Sequence, residues 1–322
     1  MKHRVRTKMK NNMTLDIREN VALAPLTTFG IGGGAKFFGE VSAESEISEA
    51  LAWAKEHRET FRVLAGGSNV LIPDGGLEGL VIRIVEGSTS YIKDGPLCVE
   101  ADAGCNVLKL IRAASECGLG GWEKLAGIPG TIGGAVRGNA GAFGPEIKDF
   151  VTRVRALNSQ SGEVKEFSNV ECDFSYRHSF FKDHPEWIIV HVWLELRPAD
   201  PQDSDRLSDE TIAEREKRHL QNVRAAGSFF MNPSAPANIV EMFESEKGMK
   251  AREGRVPAGW LIEKAGLKGH KVGDAIASVQ HPNYIVNTGC ATAHDVRNLA
   301  QVIKLEVSAQ FGVELQEEAA LF

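Results

Sequence analysis

The stretch that most constrains the fold is a glycine-rich block at residues 125–144, which reads LAGIPGTIGGAVRGNAGAFG. Seven of its twenty positions are glycine, and most of the others are small or apolar. Glycine permits positive φ and lets the backbone approach a ligand, at an entropic cost that a simple turn incurs only once or twice. Successive exposed N–H groups in such a loop form a concavity that binds anions, usually phosphate. The block predicts a phosphate-binding loop, with a tight turn between strands as the alternative.

A second glycine cluster lies upstream at residues 61–83, FRVLAGGSNVLIPDGGLEGLVIR. Its pattern predicts a strand at 62–64, a loop at 65–69, a strand at 70–72 and a turn at 73–76. A Walker A loop and a dinucleotide fingerprint both require a following helix, so the second strand excludes them. The cluster favours a strand-loop-strand phosphate cradle with Ser68 and Asn69 as side-chain donors, and a plain hairpin remains the alternative.

Charge and cysteine usage limit the classes of partner. A formal net charge of −6 over 322 residues gives no general attraction to nucleic acid or to an anionic membrane. The five scattered cysteines contain no C-x-x-C pair, which favours reduced thiols over a zinc site or a disulfide framework. The basic residues 1–13 precede no apolar segment, so we expect a disordered tail rather than a secretory signal, with Met13 as an alternative start. We expect a soluble, cytoplasmic protein.

The remaining elements alternate between helices and strands, which indicates an α+β or mixed-sheet protein. Polar residues 198–209 predict a linker, and a domain boundary is placed there. Helices are predicted at 42–57, 106–117, 210–222, 260–265 and 293–311. Strands are predicted at 151–157, 163–167, 187–196, 275–279 and 284–286.

Several motifs together carry a family resemblance. They are TTFGIGGGA (27–35), the two glycine blocks, YRHSFF (176–181), GSFFMNP (227–233), AGWLIEKAGLKG (258–269), HPNYIVN (281–287) and FGVELQEE (311–318). In this order, from about Asn20 to the end of the sequence, they resemble the UDP-N-acetylenolpyruvoylglucosamine reductases. The resemblance implies an α+β fold: an FAD-binding domain of the vanillyl-alcohol-oxidase type with two subdomains, and a C-terminal α+β substrate-binding domain.

The implied domain boundaries are as follows: a flexible tail at 1–19, the FAD-binding domain at 20–200 with subdomains at about 20–85 and 86–200, the substrate-binding domain at 210–310, and a C-terminal tail at 311–322.

The resemblance also implies an activity. NADPH reduces a non-covalently bound FAD, and flavin N5 passes the hydride to the enolpyruvyl ether of UDP-N-acetylglucosamine enolpyruvate, yielding UDP-N-acetylmuramate for peptidoglycan. The expected partner is therefore this small-molecule UDP-sugar, for a protein that is expected to be a monomer and to bind neither nucleic acid nor membrane.

Three residues inherit catalytic roles from the resemblance. Arg177 is expected to polarise the substrate carboxylate, although an arginine among aromatics also stacks on a neighbour such as Tyr176 or pairs with Asp173. Ser228, by itself an ordinary turn hydroxyl, is expected to protonate the substrate carbon. Glu318, in a tail that otherwise reads as a solvated acidic face, is expected to act with Arg177 on the enolpyruvyl group.

Binding residues follow from the same motifs. The expected substrate contacts are Asn232, Tyr176 and Lys268, the last in a basic spot at 264–271. Met231 departs from the family, which commonly has a basic residue before Asn-Pro. The expected FAD contacts are Gly66, Gly67, Ser68, Asn69, Ile128, Pro129, Gly130, Thr131, Gly134, Asn139, Ala140 and Gly141.

Two other functions are compatible with parts of the sequence. A flavin oxidase of the same domain type would use oxygen and would often tether FAD through a residue such as Cys105 or His178. A non-catalytic nucleotide-binding protein would explain the glycine blocks but would leave Arg177, Ser228 and Glu318 without a role.

Overall fold

The computed structural model describes residues 15–87, 91–94, 96–217 and 223–322. The chain divides into two compact units. Unit 1 comprises the residues up to Val21 together with Ala35–Gly67 and Leu77–Arg215. Unit 2 comprises Ala22–Gly34, Ser68–Gly76 and Glu216–Phe322.

Strands and helices are numbered along the chain. The strands are β1 (Arg18–Ala22), β2 (Gly34–Val41), β3 (Phe61–Leu64), β4 (Val70–Leu71), β5 (Leu77–Ile84), β6 (Tyr91–Asp94), β7 (Cys98–Asp102), β8 (Leu119–Gly120), β9 (Val151–Asn158), β10 (Val164–Ser168), β11 (Trp187–Glu195), β12 (Arg197–Pro198), β13 (Lys271–Val272), β14 (Ala275–Ala277), β15 (Ile285–Asn287) and β16 (Ala320–Leu321). The helices are α1 (Glu44–Glu56), α2 (Val107–Glu116), α3 (Ile132–Arg137), α4 (Phe180–Asp183), α5 (Pro201–Lys217), α6 (Ala237–Lys247), α7 (Ala258–Lys264) and α8 (Ala293–Phe311).

Unit 1 contains a sheet with the strand order β1-β2-β5-β3, in which β5 pairs in parallel with both β2 and β3. Helix α1 connects β2 to β3, as parallel strands require a crossover. Its residues Ile47, Ala50 and Ala54 are buried at the spacing that puts them on one helical face. The predicted helix at 42–57 and strand at 62–64 are therefore confirmed within two residues at each end.

An antiparallel sheet with the order β10-β9-β11-β7-β6 forms the other part of unit 1. Helix α2 packs its apolar face into the core, and its first turn is capped by Asn106, whose side chain accepts a hydrogen bond from the N–H of Lys109 at 3.1 Å. Trp122 is fully buried in the same core. The strands predicted at 151–157, 163–167 and 187–196 correspond to β9, β10 and β11.

The linker predicted at 198–209 is wrong, because α5 begins at Pro201. Asp200 caps this helix: its Oδ1 accepts hydrogen bonds from the N–H groups of Gln202 and Asp203. Polar residues also face inward, since the buried Ser204 hydroxyl donates to Glu123 at 2.7 Å. Residues 218–222, the end of the helix predicted at 210–222, lie outside the described residues.

Unit 2 is assembled from three separate stretches of the chain. Its antiparallel sheet has the order β13-β14-β15, and β16 pairs in parallel with β4. Helix α8 spans the predicted residues 293–311 and buries an apolar face. The Asp74 carboxylate accepts hydrogen bonds from the N–H groups of Ala293 at 2.7 Å and His294 at 3.1 Å, so a distant turn of unit 2 satisfies the first turn of α8.

The other predicted elements of unit 2 are present with shifted ends, as α7, β14 and β15. The predicted tail at residues 1–13 lies outside the described residues. The predicted domain boundaries stay a prediction. Within the described residues, no helix combines the length and the apolar character needed to cross a membrane.

Candidate active site

Two glycine loops meet in unit 1, one after β3 and one before α3. A Cβ added to Gly66 would lie 2.8 Å from the Cα of Gly130, closer than real contacts allow. Gly130 itself has a φ of +116°, which favours glycine, and its carbonyl accepts a hydrogen bond from the N–H of Val107 at 3.2 Å. The two loops therefore meet backbone against backbone, and exposed N–H groups of such glycine loops suit a phosphate-bearing cofactor.

A short helix, α3, lies inside the central glycine block, which sequence reasoning treated only as a loop. Thr131 caps it, since its hydroxyl accepts a hydrogen bond from the N–H of Gly134 at 3.3 Å. Gly133 is buried, and a Cβ there would lie 2.7 Å from the Cβ of Ala103. Some glycines of the block thus allow close packing of α3, and others shape the loop.

Asn139 is fully buried and has a φ of +42°. Its amide nitrogen donates to the Glu146 carboxylate at 3.0 Å and to the Ser175 carbonyl at 2.7 Å. Its amide oxygen accepts from the N–H of Lys148 at 3.2 Å. Because these partners all belong to the protein, the side chain holds the loop in place.

Arg177 is attached to the same loop. Its Nη2 donates a hydrogen bond to the Gly141 carbonyl at 3.0 Å, and its guanidinium lies 5.2 Å from the centre of the Tyr176 ring. Its φ is +57°, a left-handed conformation that costs a non-glycine residue about 1–3 kcal/mol. Strain of this size persists only where surrounding contacts fix the residue, and the bond to Gly141 is one of them.

Unit 2 holds the next part of the predicted cofactor loop. The Asn69 amide donates to the Glu318 carbonyl at 3.1 Å, and the N–H of Ala320 donates to the Asn69 carbonyl at 3.0 Å. The Ser68 carbonyl accepts a hydrogen bond from the Thr28 hydroxyl at 3.3 Å. Asn69 therefore connects the loop before β4 to the C-terminal segment.

The C-terminal segment runs beside the GSFFMNP motif in unit 2. The N–H of Glu318 donates to the Phe229 carbonyl at 2.8 Å, and the N–H of Met231 donates to the Gln316 carbonyl at 2.9 Å. The two segments thus pair in antiparallel register around Phe230 and Glu317. This register places Glu318 opposite the residue that follows Ser228, so two of the predicted catalytic residues lie on adjacent segments.

A cavity of about 310 Å³ lies in unit 2 beside this pairing. Two predicted site residues, Ser228 and Asn232, contribute to its walls. The Asn232 amide oxygen accepts a hydrogen bond from the N–H of Ala258 at 3.0 Å, which fixes the start of α7. The other lining residues are Lys247, Pro257, Gly259, Trp260, Glu263, His281, Pro282 and Asn283.

Asn283, which also lines the cavity, holds the neighbouring backbone in place. Its amide oxygen accepts from the N–H of Phe230 at 2.9 Å, and its amide nitrogen donates to the Phe230 carbonyl at 2.8 Å. The side chain is 3% exposed, so both bonds are shielded from water and fix the segment that carries Ser228.

Lys268, a predicted substrate contact, pairs with Glu263 at 3.1 Å. Glu263 lines the cavity, whereas Lys268 is absent from its described lining. Sequence reasoning missed Lys247, Trp260, Glu263 and His281. Three of these belong to AGWLIEKAGLKG and HPNYIVN, in which only Lys268 was given a role; Lys247 belongs to neither motif.

Comparisons with known proteins identify the family. A sequence model described as "UDP-N-acetylenolpyruvoylglucosamine reductase, C-terminal domain" matches residues 218–322, and one described as "FAD binding domain" matches residues 35–168. The UDP-N-acetylenolpyruvoylglucosamine reductase of Carboxydothermus hydrogenoformans is 37% identical, over 98% of this chain and 96% of its own length. That of Pseudomonas aeruginosa is 36% identical, over 96% of this chain and 100% of its own.

Among solved structures, the UDP-N-acetylenolpyruvylglucosamine reductase from Thermus caldophilus aligns with a TM-score of 0.75 at 31% identity. That alignment covers 96% of this chain and 99% of the other. The fold is an FAD-binding domain of the vanillyl-alcohol-oxidase type with two subdomains, followed by a reductase C-terminal domain. The chain belongs to the UDP-N-acetylenolpyruvoylglucosamine reductase family.

Proposed function

We propose that this chain is an FAD-dependent oxidoreductase that uses NADPH to convert UDP-N-acetylglucosamine enolpyruvate to UDP-N-acetylmuramate, a step of peptidoglycan precursor synthesis. The observation that carries the proposal is the pairing of the C-terminal segment with the GSFFMNP motif, which sets Glu318 beside the residue after Ser228, next to a cavity that Ser228 and Asn232 line.

The residues of the two glycine loops fit a flavin dinucleotide. Backbone N–H groups around Gly66, Gly67 and Gly130 would hold its diphosphate, because only glycine permits the close approach seen between these loops. Ser68, Asn69, Ile128, Pro129, Thr131, Gly134, Ala140 and Gly141 complete the proposed contacts, and Asn139 positions the loop. The chemistry that bound FAD supplies is hydride transfer from NADPH to the vinyl carbon of the enolpyruvyl group.

Ser228 donates the proton that completes the reduction. Its hydroxyl requires a fixed position about 3 Å from the accepting carbon rather than a low pKa. The hydrogen bonds of Asn283 to Phe230 hold the backbone two residues away from Ser228, and this support limits the movement of the donor.

Arg177 stabilises the negative charge that develops next to the substrate carboxylate. A guanidinium is always protonated and offers paired N–H donors to a carboxylate. Tyr176 lies under it and the Gly141 carbonyl orients it, so the group is preorganised, as electrostatic stabilisation of a transition state requires.

Glu318 acts with Arg177 on the enolpyruvyl group. Asn232 and Lys268 contact the remainder of the UDP-sugar. The protein acts as a cytoplasmic monomer with no nucleic-acid partner. The FAD-binding domain corresponds to residues 20–200 and the substrate-binding domain to 210–310.

The structure gives no support to a covalent flavin tether of the oxidase type at Cys105. This thiol is fully buried, and burial, followed by the nearby Glu86 carboxylate, raises its pKa to about 12. A protonated, enclosed thiol is a poor nucleophile.

The test is an anaerobic absorbance titration of the purified protein with NADPH, followed by UDP-N-acetylglucosamine enolpyruvate. We expect the flavin band at about 450 nm to bleach with NADPH and to recover when the substrate is added. Bleaching without recovery would identify another acceptor, and a protein without flavin would contradict the proposal.

The role of Ser228 is tested with Ser228→Ala, and Ser234→Ala serves as the matched control six residues away. In Ser228→Ala we expect NADPH to bleach the band at the wild-type rate and the substrate to restore it about 10²–10⁴-fold more slowly. Equal recovery rates in the two variants would remove Ser228 from the chemistry.

A further inference from the structure

The substrate of the proposed reaction carries a diphosphate in addition to its carboxylate, and both are negatively charged. Any site that encloses it needs fixed positive charge near the diphosphate, because burying an unpaired anion is costly. In the cavity of unit 2 that Ser228 and Asn232 line, a positively charged wall residue would therefore indicate where the diphosphate binds.

Among the described residues that line this cavity, Lys247 is the sole lysine or arginine. Lys264 and Lys268 lie nearby but pair with carboxylates, Lys264 with Glu246 at 2.6 Å and Lys268 with Glu263 at 3.1 Å. Met231, where the family commonly has a basic residue, is also absent from the described lining.

The ion pair of Lys247 is longer than the ion pairs of Lys264 and Lys268. It lies 3.3 Å from Glu246 Oε1, which also accepts a hydrogen bond from the Trp260 indole at 3.2 Å. The other oxygen of Glu246 pairs with Lys264. If Lys247 moved to an anionic ligand, Glu246 would keep two partners, so the exchange leaves no carboxylate unpaired.

The position of Lys247 in the fold also favours this role. It is the last residue of α6, and Gly248, with a φ of +63°, ends the helix immediately after it. Carbonyl groups at a helix C-terminus favour a nearby cation. Its side chain is 42% exposed, so the ammonium is accessible to a ligand from solution.

Resting on the proposed function, we propose that Lys247 binds the diphosphate of the nucleotide sugar and thereby makes the cavity selective for a nucleoside diphosphate. It supplies in this chain a charge that Met231 does not provide.

The test compares Lys247→Gln with Lys250→Gln, a matched control whose side chain is 89% exposed and pairs with Glu244. For Lys247→Gln we expect KM for UDP-N-acetylglucosamine enolpyruvate to rise about 10–100-fold, since a charge-assisted contact is lost. We expect kcat to stay within about twofold, and Lys250→Gln to match the wild type in both constants.

Direct binding identifies the group that Lys247 contacts. Calorimetric titration should show UDP binding weakened by the same factor in Lys247→Gln, with uridine binding unchanged and Lys247→Arg restoring most of the UDP affinity. If UDP binds equally well to Lys247→Gln and Lys250→Gln, or if uridine weakens as much as UDP, the assignment is overturned.

Binding also separates this inference from the proposed function. A wild-type protein that fails to turn over the enolpyruvyl substrate, yet binds UDP in a manner that depends on Lys247, would contradict the reductase function and support the site. Normal turnover with no dependence on Lys247 would support the reductase function and contradict the assignment of Lys247.

Discussion

The main-chain N–H of Glu318 donates a hydrogen bond to the carbonyl oxygen of Phe229 over 2.8 Å. Because Phe229 directly follows Ser228, this bond sets the backbone of Glu318 against the residue next to the proposed proton donor. The neighbouring Glu317 instead pairs with Lys304 at 3.0 Å. Two adjacent glutamates thus have different surroundings, which allows a matched test.

We predict that Glu318→Gln lowers kcat by about 10²–10³-fold, whereas Glu317→Gln stays within about threefold of the wild type because it removes only a partly exposed ion pair. Steady-state turnover measures both effects. Flavin content and the thermal midpoint should be unchanged in Glu318→Gln. A larger loss of activity in Glu317→Gln than in Glu318→Gln would show that the catalytic role is assigned to the wrong glutamate.

A second prediction concerns the contact between the two glycine loops. Gly66→Ala places a Cβ 2.8 Å from the Cα of Gly130, which is backbone and cannot rotate away. We expect purified Gly66→Ala to lose most of its FAD and to be destabilised by about 1–3 kcal/mol. Gly75→Ala is the control, since a Cβ there meets nothing within 4 Å. Equal flavin occupancy in the two variants would contradict the proposed cofactor loops.

A third prediction concerns thiol reactivity. Burial raises the pKa of Cys105 and of Cys172 to about 12, so both remain protonated at neutral pH, while Cys117 and Cys290 are exposed. Because the thiolate is the reactive form, iodoacetamide at pH 8 should label Cys117 and Cys290 in the native protein and should not label Cys105 or Cys172. Peptide mass spectrometry measures this, with denatured protein as the positive control. Fast native labelling of Cys105 would show that this part of unit 1 opens readily.

A fourth prediction concerns acid stability. The N–H of Thr292 and then its hydroxyl lower the pKa of Asp295, which caps the start of α8. A carboxyl whose pKa is lower in the folded state stabilises the protein above its unfolded pKa of about 3.9, and this contribution is lost as the pH falls through the folded value.

Asp295→Asn should therefore be less stable than the wild type at pH 7, and the difference should shrink as the pH falls below about 3.9. Urea unfolding at a series of pH values measures this difference. Asp203→Asn is a suitable control, because Asp203 is 67% exposed and pairs with Arg206 on the surface of α5. A difference that is constant with pH would exclude the ionised cap as its cause.

Elements with both a cap and an apolar face could be predicted from the sequence. Asn106 before α2 and Thr292 before α8 mark helix starts, and Gly312, with a φ of +65°, marks the end of α8. The capping residues and the apolar faces both agree with the tertiary packing, so these helices could be predicted without knowledge of long-range contacts.

Helix α5 could not be predicted as easily, because its inward-facing residues are polar. Ser204 and Ser208 are buried, and a hydrogen bond from Ser204 to Glu123 replaces the apolar contact that periodicity detects. The Asp200-Pro201 pair was the available signal, since an aspartate cap followed by proline at the first helical position is favourable.

Some residues of the candidate site could also be predicted from the sequence, and others could not. Motifs identified Ser228 and Asn232, which line one cavity, because their spacing in the sequence is fixed. Lys247 reaches that cavity only because α6 ends there, and a sequence pattern does not record where a helix end points. The register of Glu318 likewise depends on pairing with a distant segment.

The parallel pairing of β16 with β4 has a consequence for the order in which the chain is made. Val70 and Leu71 leave the ribosome long before their partners Ala320 and Leu321. The bond between Asn69 and Glu318 closes a separation of 249 residues, and such distant contacts slow folding. Unit 1 can assemble while translation continues, whereas unit 2 can be completed only after Ala320 and Leu321 have been synthesised. The proposed cofactor contacts of Ser68 and Asn69 would therefore form late.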